Sequence, residues 1–335
     1  MPDQVTPPHH AANGKFRNPW PGSIQHGVGG MLRWTWERWR SGRFSGGTAA
    51  VPLASVAPQI VYPRVGFDEC RITWVGHSSF LLQIDGLNVL TDPVWSERAS
   101  PIAWAGPRRL IPPGITLDQL PPIDLVLQSH DHYDHLCDST VRDLARRFPA
   151  AVWCAPLGVA ALLRKRGVQS VVELDWFGSA GVAGAHVTCV PARHFSGRTI
   201  TGRNSTLWCG WALIAGRHRV YFVGDTGDHP DFAEIASRCG PFDVVLMPIG
   251  AYDPRWFMRP VHLDPEEAVA AYGSIAKEQR KPRPVMVGMH WGTFTLTDEP
   301  ALEPPTRARA AWKAQEFDPE LLWILAPGET RTLGR

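Results

Sequence analysis

The order of elements along this 335-residue chain predicts an α+β protein, two β-sheets packed together with helices on the outside. Three observations predict it. Apolar runs that read as strands come first and close together, at 71–75, 80–84 and 88–90, with Asp85-Gly86 as a hairpin turn. Short apolar runs then alternate with helical patterns twice over. Finally, residues of metal-ligand type sit just after several of the predicted strands, where a rigid sheet can hold a side chain while a loop leaves room for a substrate.

Taken in order, residues 1–30 are rich in Pro, Gly, His and Asn, with Asn18-Pro19-Trp20-Pro21-Gly22 as a turn. Residues 31–43 have helical periodicity. Leu32, Trp36 and Trp39 share one face with Met31 near it, and Arg33, Glu37, Arg38 and Arg40 occupy the other. Tryptophan and arginine on a short amphipathic helix suit a lipid headgroup boundary, which makes peripheral membrane contact one reading. Docking on the protein's own body, or on a second subunit of a homodimer, is the other. Residues 44–65 return to Gly, Ala and Pro and read as a linker, so the chain divides into an extension (1–65) and a compact domain (66–335). In the domain, Asp92-Pro93 closes the third strand, and the Pro-rich stretch 100–122 is a long loop placed to roof part of the molecule. A strand at 123–127 follows, then helices at 138–147 and 157–167 alternating with strands at 151–154 and 171–174. A strand at 187–190, a hairpin of 207–214 and 219–223 turned at Gly216, a helix at 230–238 and a strand at 243–247 come next. Asp264-Pro265-Glu266-Glu267 is a helix start, with an N-cap acid, Pro at the first helical position and Glu three after the cap. That helix runs to 277, and a strand at 285–287, a helix at 304–317 and strands at 321–325 and 329–332 finish the chain.

Composition narrows the function class. The chain is 44% hydrophobic and 20% charged, ordinary for a globular protein with a sizeable core. Its net charge of +2 offers no global field for nucleic acid. The charge is uneven: residues 1–65 carry one Lys and six Arg against Asp3 and Glu37, a net +5, which leaves −3 for the rest. Cys70, Cys137, Cys154, Cys189, Cys209 and Cys239 form no C-x-x-C pair and read as free core thiols of a reducing, cytoplasmic compartment. No apolar run approaches the roughly 20 residues of a spanning helix, and the first 30 residues lack a signal-peptide core.

The chemistry concentrates in His130-Asp131-His132-Tyr133-Asp134-His135, a strand-to-helix loop. Side chains two apart in an extended segment point the same way, so His130 and His132 face one point. Asp134 and His135 come where the chain bends and face a neighbouring point, the layout for two adjacent metal ions. His194, Asp225 and His290 follow predicted strands and are flanked by small residues or turn formers. The full set is His130, His132 and His194 for one ion, Asp134, His135 and His290 for the other, and Asp225 bridging. Imidazole and carboxylate without thiolate fit two zinc ions, and iron or manganese are also compatible. Two ions roughly 3.5–4 Å apart can trap a hydroxide between them.

From Gly66 to the C-terminus this pattern resembles the metallo-β-lactamase superfamily, marked by H-x-H-x-D-H followed by a distant His, Asp and His. The resemblance implies a four-layer αββα sandwich with the metals at one edge of the sheets. Trp74-Val75-Gly76-His77 and Thr91-Asp92-Pro93 match further motifs there, which implies that His77 and Asp92 orient the ligands; a packed, hydrogen-bonded His77 is the overlapping reading. Within the superfamily, 120–124, 248–258 and 290–294 are similar to the N-acyl-phosphatidylethanolamine-hydrolysing phospholipase D family. So are Asn18-Pro19-Trp20-Pro21 and Leu302-Glu303-Pro304-Pro305. The resemblance implies zinc-dependent cleavage of that phospholipid to phosphatidic acid and an N-acylethanolamine, and places Tyr133 and His262 at the substrate. His262 would contact the phosphate or assist the leaving alcohol, or pack beside the capped helix. Tyr133 would hydrogen-bond the phosphate or pack. His262 follows Val261, where the family pattern leads one to expect an amide. A lactonase or phosphodiesterase for a small soluble substrate is the alternative enzyme. A non-catalytic metal-binding scaffold or nucleic-acid binder is the third reading, disfavoured by the complete ligand set and the lack of a basic stripe.

Overall fold

Period-two alternation in the first strands separates two apolar faces. The computed structural model describes residues 6–22, 26–41, 53–102, 104–199, 201–279 and 282–334. Strands β1 (Cys70–Gly76), β2 (Ser79–Ile84) and β3 (Leu87–Thr91) pair antiparallel, with Trp74 opposite Phe80 and Leu82 opposite Val89. β4 (Leu125–Leu127), β5 (Val152–Pro156) and β6 (Ser170–Leu174) extend the sheet in parallel, and β14 (Thr330–Thr332) closes its other edge. Ile72, Trp74, Phe80, Leu82, Leu125 and Leu127 face inward to the second sheet. Their alternates Val75, Leu81, Leu90, Val126 and Trp153 face outward, where α2 (Asp138–Arg147) covers them with Val141 and Leu144 and α3 (Ala160–Arg164) with Leu163.

The second sheet runs β13-β12-β11-β10-β9-β8-β7. It comprises β7 (Ser179–Val182), β8 (Ala185–Val190), β9 (Gly210–Ala215), β10 (His218–Phe222), β11 (Val244–Pro248), β12 (Val285–Met289) and β13 (Leu322–Trp323). Both its faces are buried, so β11 reads as an unbroken apolar run rather than an alternation. Helices α4 (Phe232–Cys239), α6 (Pro265–Glu278) and α7 (Glu303–Ala314) cover it, through residues such as Ile235, Tyr272 and Trp312, and α5 (Arg255–Met258) is a single turn between β11 and α6. The result is the expected four-layer αββα sandwich. The expected cap of α6 is present: Asp264 accepts from the Glu267 amide at 2.8 Å and the Glu267 carboxylate reaches back. All six cysteines are free, as expected.

Two elements differ from expectation. The helix expected at 157–167 contracts to α3, because Gly158 and Gly167 at its ends take φ of +87° and +98°. β7 was not expected; its Ser-Ala-Gly-Val is short and has one large apolar side chain, Val182, and it pairs with β8 through Ala183-Gly184, both at positive φ as a tight hairpin requires. The Pro-rich loop at 100–122 roofs the outer face of the first sheet through Ile115 and Leu120, as its composition leads one to expect, and ties Leu110 to the Thr293 carbonyl at 2.8 Å.

Much of the extension lies along the body. Phe16 donates from its amide to the Asn204 carbonyl at 2.8 Å, and His9 and His10 share the Asp175 carboxylate at 2.7 and 2.8 Å. The Gln83 amide side chain brackets Val61 backbone. Helix α1 (Val28–Arg40) docks with its polar side: the Trp34 indole and Arg38 both reach Asp298, Glu37 accepts from the Trp256 indole, and Arg33 stacks on Trp256. Leu32, Trp36 and Trp39 face outward, with Trp39 70% exposed. The end of the expected helix at 42–43 and the first part of the linker, 44–52, lie outside the described residues.

Candidate metal centre

Six strand ends from both sheets meet at one edge of the sandwich. β1 leads to His77, β3 to Asp92 and β4 to the loop 128–137. From the second sheet, β8 leads to His194, β10 to Asp225 and β12 to His290. His77, Asp92 and His290 have φ of 56°, 30° and 62°, a left-handed conformation that non-glycine residues adopt at a cost and that turns each side chain back over the strand ends.

The seven expected ligands converge in two groups. His130 Nε2 and His132 Nδ1 are 2.9 Å apart, and His194 Nε2 lies 3.2 Å from His132 Nδ1. His135 Nε2 and His290 Nε2 are 3.2 Å apart, with Asp134 Oδ2 at 3.3 and 3.5 Å from them. Asp225 Oδ2 reaches both groups: it is 3.1 Å from His135 and His290, 3.7 Å from His194 and 3.9 Å from His130. Ligand atoms around a tetrahedral ion with bonds of about 2.0–2.1 Å stand roughly 3.3–3.4 Å apart, so both groups fit. Asp225 Oδ1 is a buried carboxylate oxygen with no hydrogen-bond partner. The set therefore has the donors, the spacing and the unspent polar capacity for metal.

Tautomers follow from the surrounding hydrogen bonds. Asp92 accepts from His135 Nδ1 at 2.6 Å and from the Ser129 hydroxyl, whose oxygen accepts from His130 Nδ1 at 2.8 Å. One carboxylate thus aims the Nε2 lone pair of a histidine in each group. His194 Nδ1 donates to the Val261 carbonyl at 2.9 Å, which frees its Nε2. His77 Nε2 lies 3.0 Å from Asp134 Oδ2, placed to hold that carboxylate.

Charge is divided between the groups. Burial first, then neighbouring imidazoles, holds His130 well below its ordinary range. Burial lowers His194 to about 3, and lowers His132 to about 4 with a smaller contribution from the Arg203 charge. Those three are neutral lone-pair donors. Burial acts to lower His135 and His290 too, but Asp225 and then Asp134 outweigh it, raising His135 well above its ordinary range and His290 to about 9. Burial would raise Asp134 and Asp225, yet His135 above all holds both well below the carboxylate range. The two carboxylates thus favour positive charge at this point, which metal cations would supply.

Above the cluster lies a cavity of ≈ 220 Å³. His132, Asp134, His194 and Asp225 form its floor, Phe195, Phe257, Met258, Val261 and Leu296 its apolar walls, and Met31 and Trp34 of α1 close it. His262 lines it, 5.0 Å ring to ring from His194, with Nδ1 unpartnered and its pKa held well below the ordinary value, by burial first. Tyr133 does not line the cavity; its hydroxyl donates to the Arg198 carbonyl at 3.3 Å and the Arg198 guanidinium covers its ring. Arg255 and Arg259 pair with Glu267 on the surface.

Sequence reasoning missed several residues. Gln128 Nε2 bonds Asp92 and the carbonyls of His130 and His135, and Arg198 bonds the carbonyls of Asp131 and Leu136, so the two side chains hold the ligand loop by its backbone. Neither has a signature in the sequence; only the adjacency of Gln128 to the histidine motif pointed there.

The beta-lactamase superfamily domain model matches residues 87–291. An uncharacterised protein of Mycobacterium tuberculosis is 45% identical over 287 residues, 85% of this chain and 73% of that one. The N-acyl-phosphatidylethanolamine-hydrolyzing phospholipase D 1 of Caenorhabditis elegans is 38% identical over 255 residues, 73% of this chain and 70% of that one. Among solved structures, a metallo hydrolase of Ignicoccus hospitalis superposes with a TM-score of 0.57 at 22% identity, covering 80% of this chain and 99% of that one. Sandwich, converging strand ends and relatives agree, and the chain belongs to the metallo-β-lactamase superfamily of metal-dependent hydrolases.

Proposed function

We propose that this protein is a zinc-dependent phosphodiesterase of the phospholipase D reaction type, cleaving N-acyl-phosphatidylethanolamine to phosphatidic acid and an N-acylethanolamine. One observation carries the reading: the His/Asp cluster opens into an apolar-walled cavity closed by a helix whose other face is exposed tryptophan and leucine. The similarity to a relative of that named activity supports it. His130, His132, His194, Asp134, His135, His290 and Asp225 would hold two ions. Such ions supply Lewis acidity and bring water's pKa from 15.7 towards about 7. His262, neutral and facing the cavity, would donate a hydrogen bond from its ring N–H to a phosphoryl oxygen or to the oxygen of the departing alcohol. Asp92 and His77 keep the ligands aimed. The apolar walls exclude water around the diester.

The cavity is smaller than the roughly 300–1,000 Å³ of common ligand pockets, so it takes the headgroup diester and leaves the acyl chains outside, along α1. The same small volume favours the second reading, a lactonase or phosphodiesterase for a small soluble substrate. The test assays zinc-loaded protein on N-acyl-phosphatidylethanolamine vesicles beside Asp225→Asn. The parent should release phosphatidic acid and the variant should not. Equal release by both removes the proposal, and turnover of a soluble diester or lactone without lipid turnover selects the second reading.

A further inference from the structure

A further group of metal-ligand side chains lies apart from the two in the centre: His9, His10 and Asp175. His9 and His10 are neighbours in the extension, and Asp175 follows β6 at the edge of the first sheet. The Nε2 atoms of the two imidazoles meet opposite oxygens of one carboxylate, at 2.7 and 2.8 Å. Each group is set in place by its surroundings. The His9 ring stacks on Trp176 at 4.2 Å, and the Trp176 indole donates to the Trp208 carbonyl at 2.7 Å. The His10 ring stands edge-on to Phe16 at 5.1 Å, and the His10 amide donates to the Pro7 carbonyl at 2.9 Å. Asp175 Oδ1 accepts from the Trp176 amide at 2.8 Å, the kind of outer hydrogen bond that orients a ligating carboxylate.

Two imidazole nitrogens and a carboxylate oxygen are the ligands that a zinc-like divalent ion takes from protein, with water in the fourth position. Ligand atoms of such a site stand about 3.3 Å apart. The three groups therefore need to part by only about half an ångström for an ion to replace the hydrogen-bonding protons, each imidazole then carrying its proton on Nδ1. Access is from one side. His9 is buried, whereas the side chains of His10 and Asp175 are 28% and 31% exposed, which leaves an entry path and room for the water. We propose that His9, His10 and Asp175 form a separate site for one zinc-like divalent cation, which pins the extension to the body. The pinned strap runs on to the main centre. Trp20 also stacks on Trp176, at 5.6 Å, and the Asn18 side-chain amide donates to the His194 carbonyl at 2.8 Å. The proposal does not depend on which ester the main centre cleaves.

The test uses the full chain, stripped with a chelator and titrated with zinc by calorimetry and equilibrium dialysis, beside His9→Gln/His10→Gln and His10→Gln alone. A glutamine amide stands near the place of the imidazole Nε2 and keeps a donor for Asp175, but it is a poor zinc ligand. The double variant should bind one equivalent fewer than the parent. His10→Gln should weaken that equivalent by at least the roughly 10–100-fold that loss of an outer partner costs. Hydrogen exchange gives a second readout. Zinc at about 100 times its Kd should slow amide exchange at 9–17 by up to about a hundredfold in the parent, and not in the double variant. Equal zinc stoichiometry and affinity in all three proteins overturn the proposal and leave a pair of hydrogen bonds only. So does an equal effect of zinc on exchange at 9–17 in parent and double variant. Should the double variant lose its fold, His10→Gln, at a partly exposed position, carries both comparisons. Each reading is a difference from the parent, so it stands whether or not the main centre turns over a substrate.

Discussion

At the scale of single residues, Asp92 does the most with the fewest atoms. Its carboxylate accepts from His135 directly and from His130 through Ser129, so it sets a tautomer in each half of the centre. Asp92→Asn keeps the shape but puts a donor where an acceptor is needed. Metal affinity should fall about 10–100-fold, read by competition with a chromogenic chelator; parental affinity would mean that the histidines are aimed by other groups. Asp138 gives a pH prediction away from the ligands. Burial would raise its pKa, but the Arg166 hydrogen bond and the Arg198 charge outweigh it and leave the carboxyl below its ordinary value. A folded-state pKa below the unfolded one stabilises above about pH 4, and the contribution is lost as pH falls through the folded value. Urea midpoints of Asp138→Asn should therefore decline less than the parent's between about pH 4 and pH 2. Parallel curves would reject the coupling.

At the scale of elements, α1 presents the least expected geometry. Its polar side grips Trp256 and Asp298, and its apolar side is left to the surroundings. Trp36→Ser with Trp39→Ser should cut flotation with anionic vesicles while shifting stability by no more than about 0.5 kcal/mol, as surface changes do. Undiminished flotation would assign the face to something other than lipid. Periodicity made the helix legible, but the side that docks depends on what the body presents, and Trp256, Phe257 and Asp298 carry no mark of being its partners. The ligands were legible for the opposite reason. His130 to His135 sit at a fixed spacing after an apolar strand, and His194, Asp225 and His290 each follow one. Gln128 and Arg198 were not legible, because a side chain that acts by reaching another stretch of backbone leaves no local pattern. β7 hid because it is short and has one large apolar side chain, and α3 shrank because a glycine's φ is invisible until neighbours crowd it.

At the scale of the whole molecule, the first sheet delivers His130, His132, Asp134 and His135, and the second delivers His194, Asp225 and His290. Ions held between them would tie the sheets together. Binding only to the folded chain at about 100 times Kd adds about 2.7 kcal/mol. Stripping with a chelator should lower Tm by about 4 °C for each such ion, and added zinc should restore it. A chelator-insensitive melt would show that packing alone joins the sheets. Among the described residues no helix is long and apolar enough to cross a membrane. The division of ligands between sheets has a consequence for supply: in a cell starved of the ion, apo chains would open more often and meet proteases sooner, so abundance, and not only turnover, would track the trace-element content of the medium.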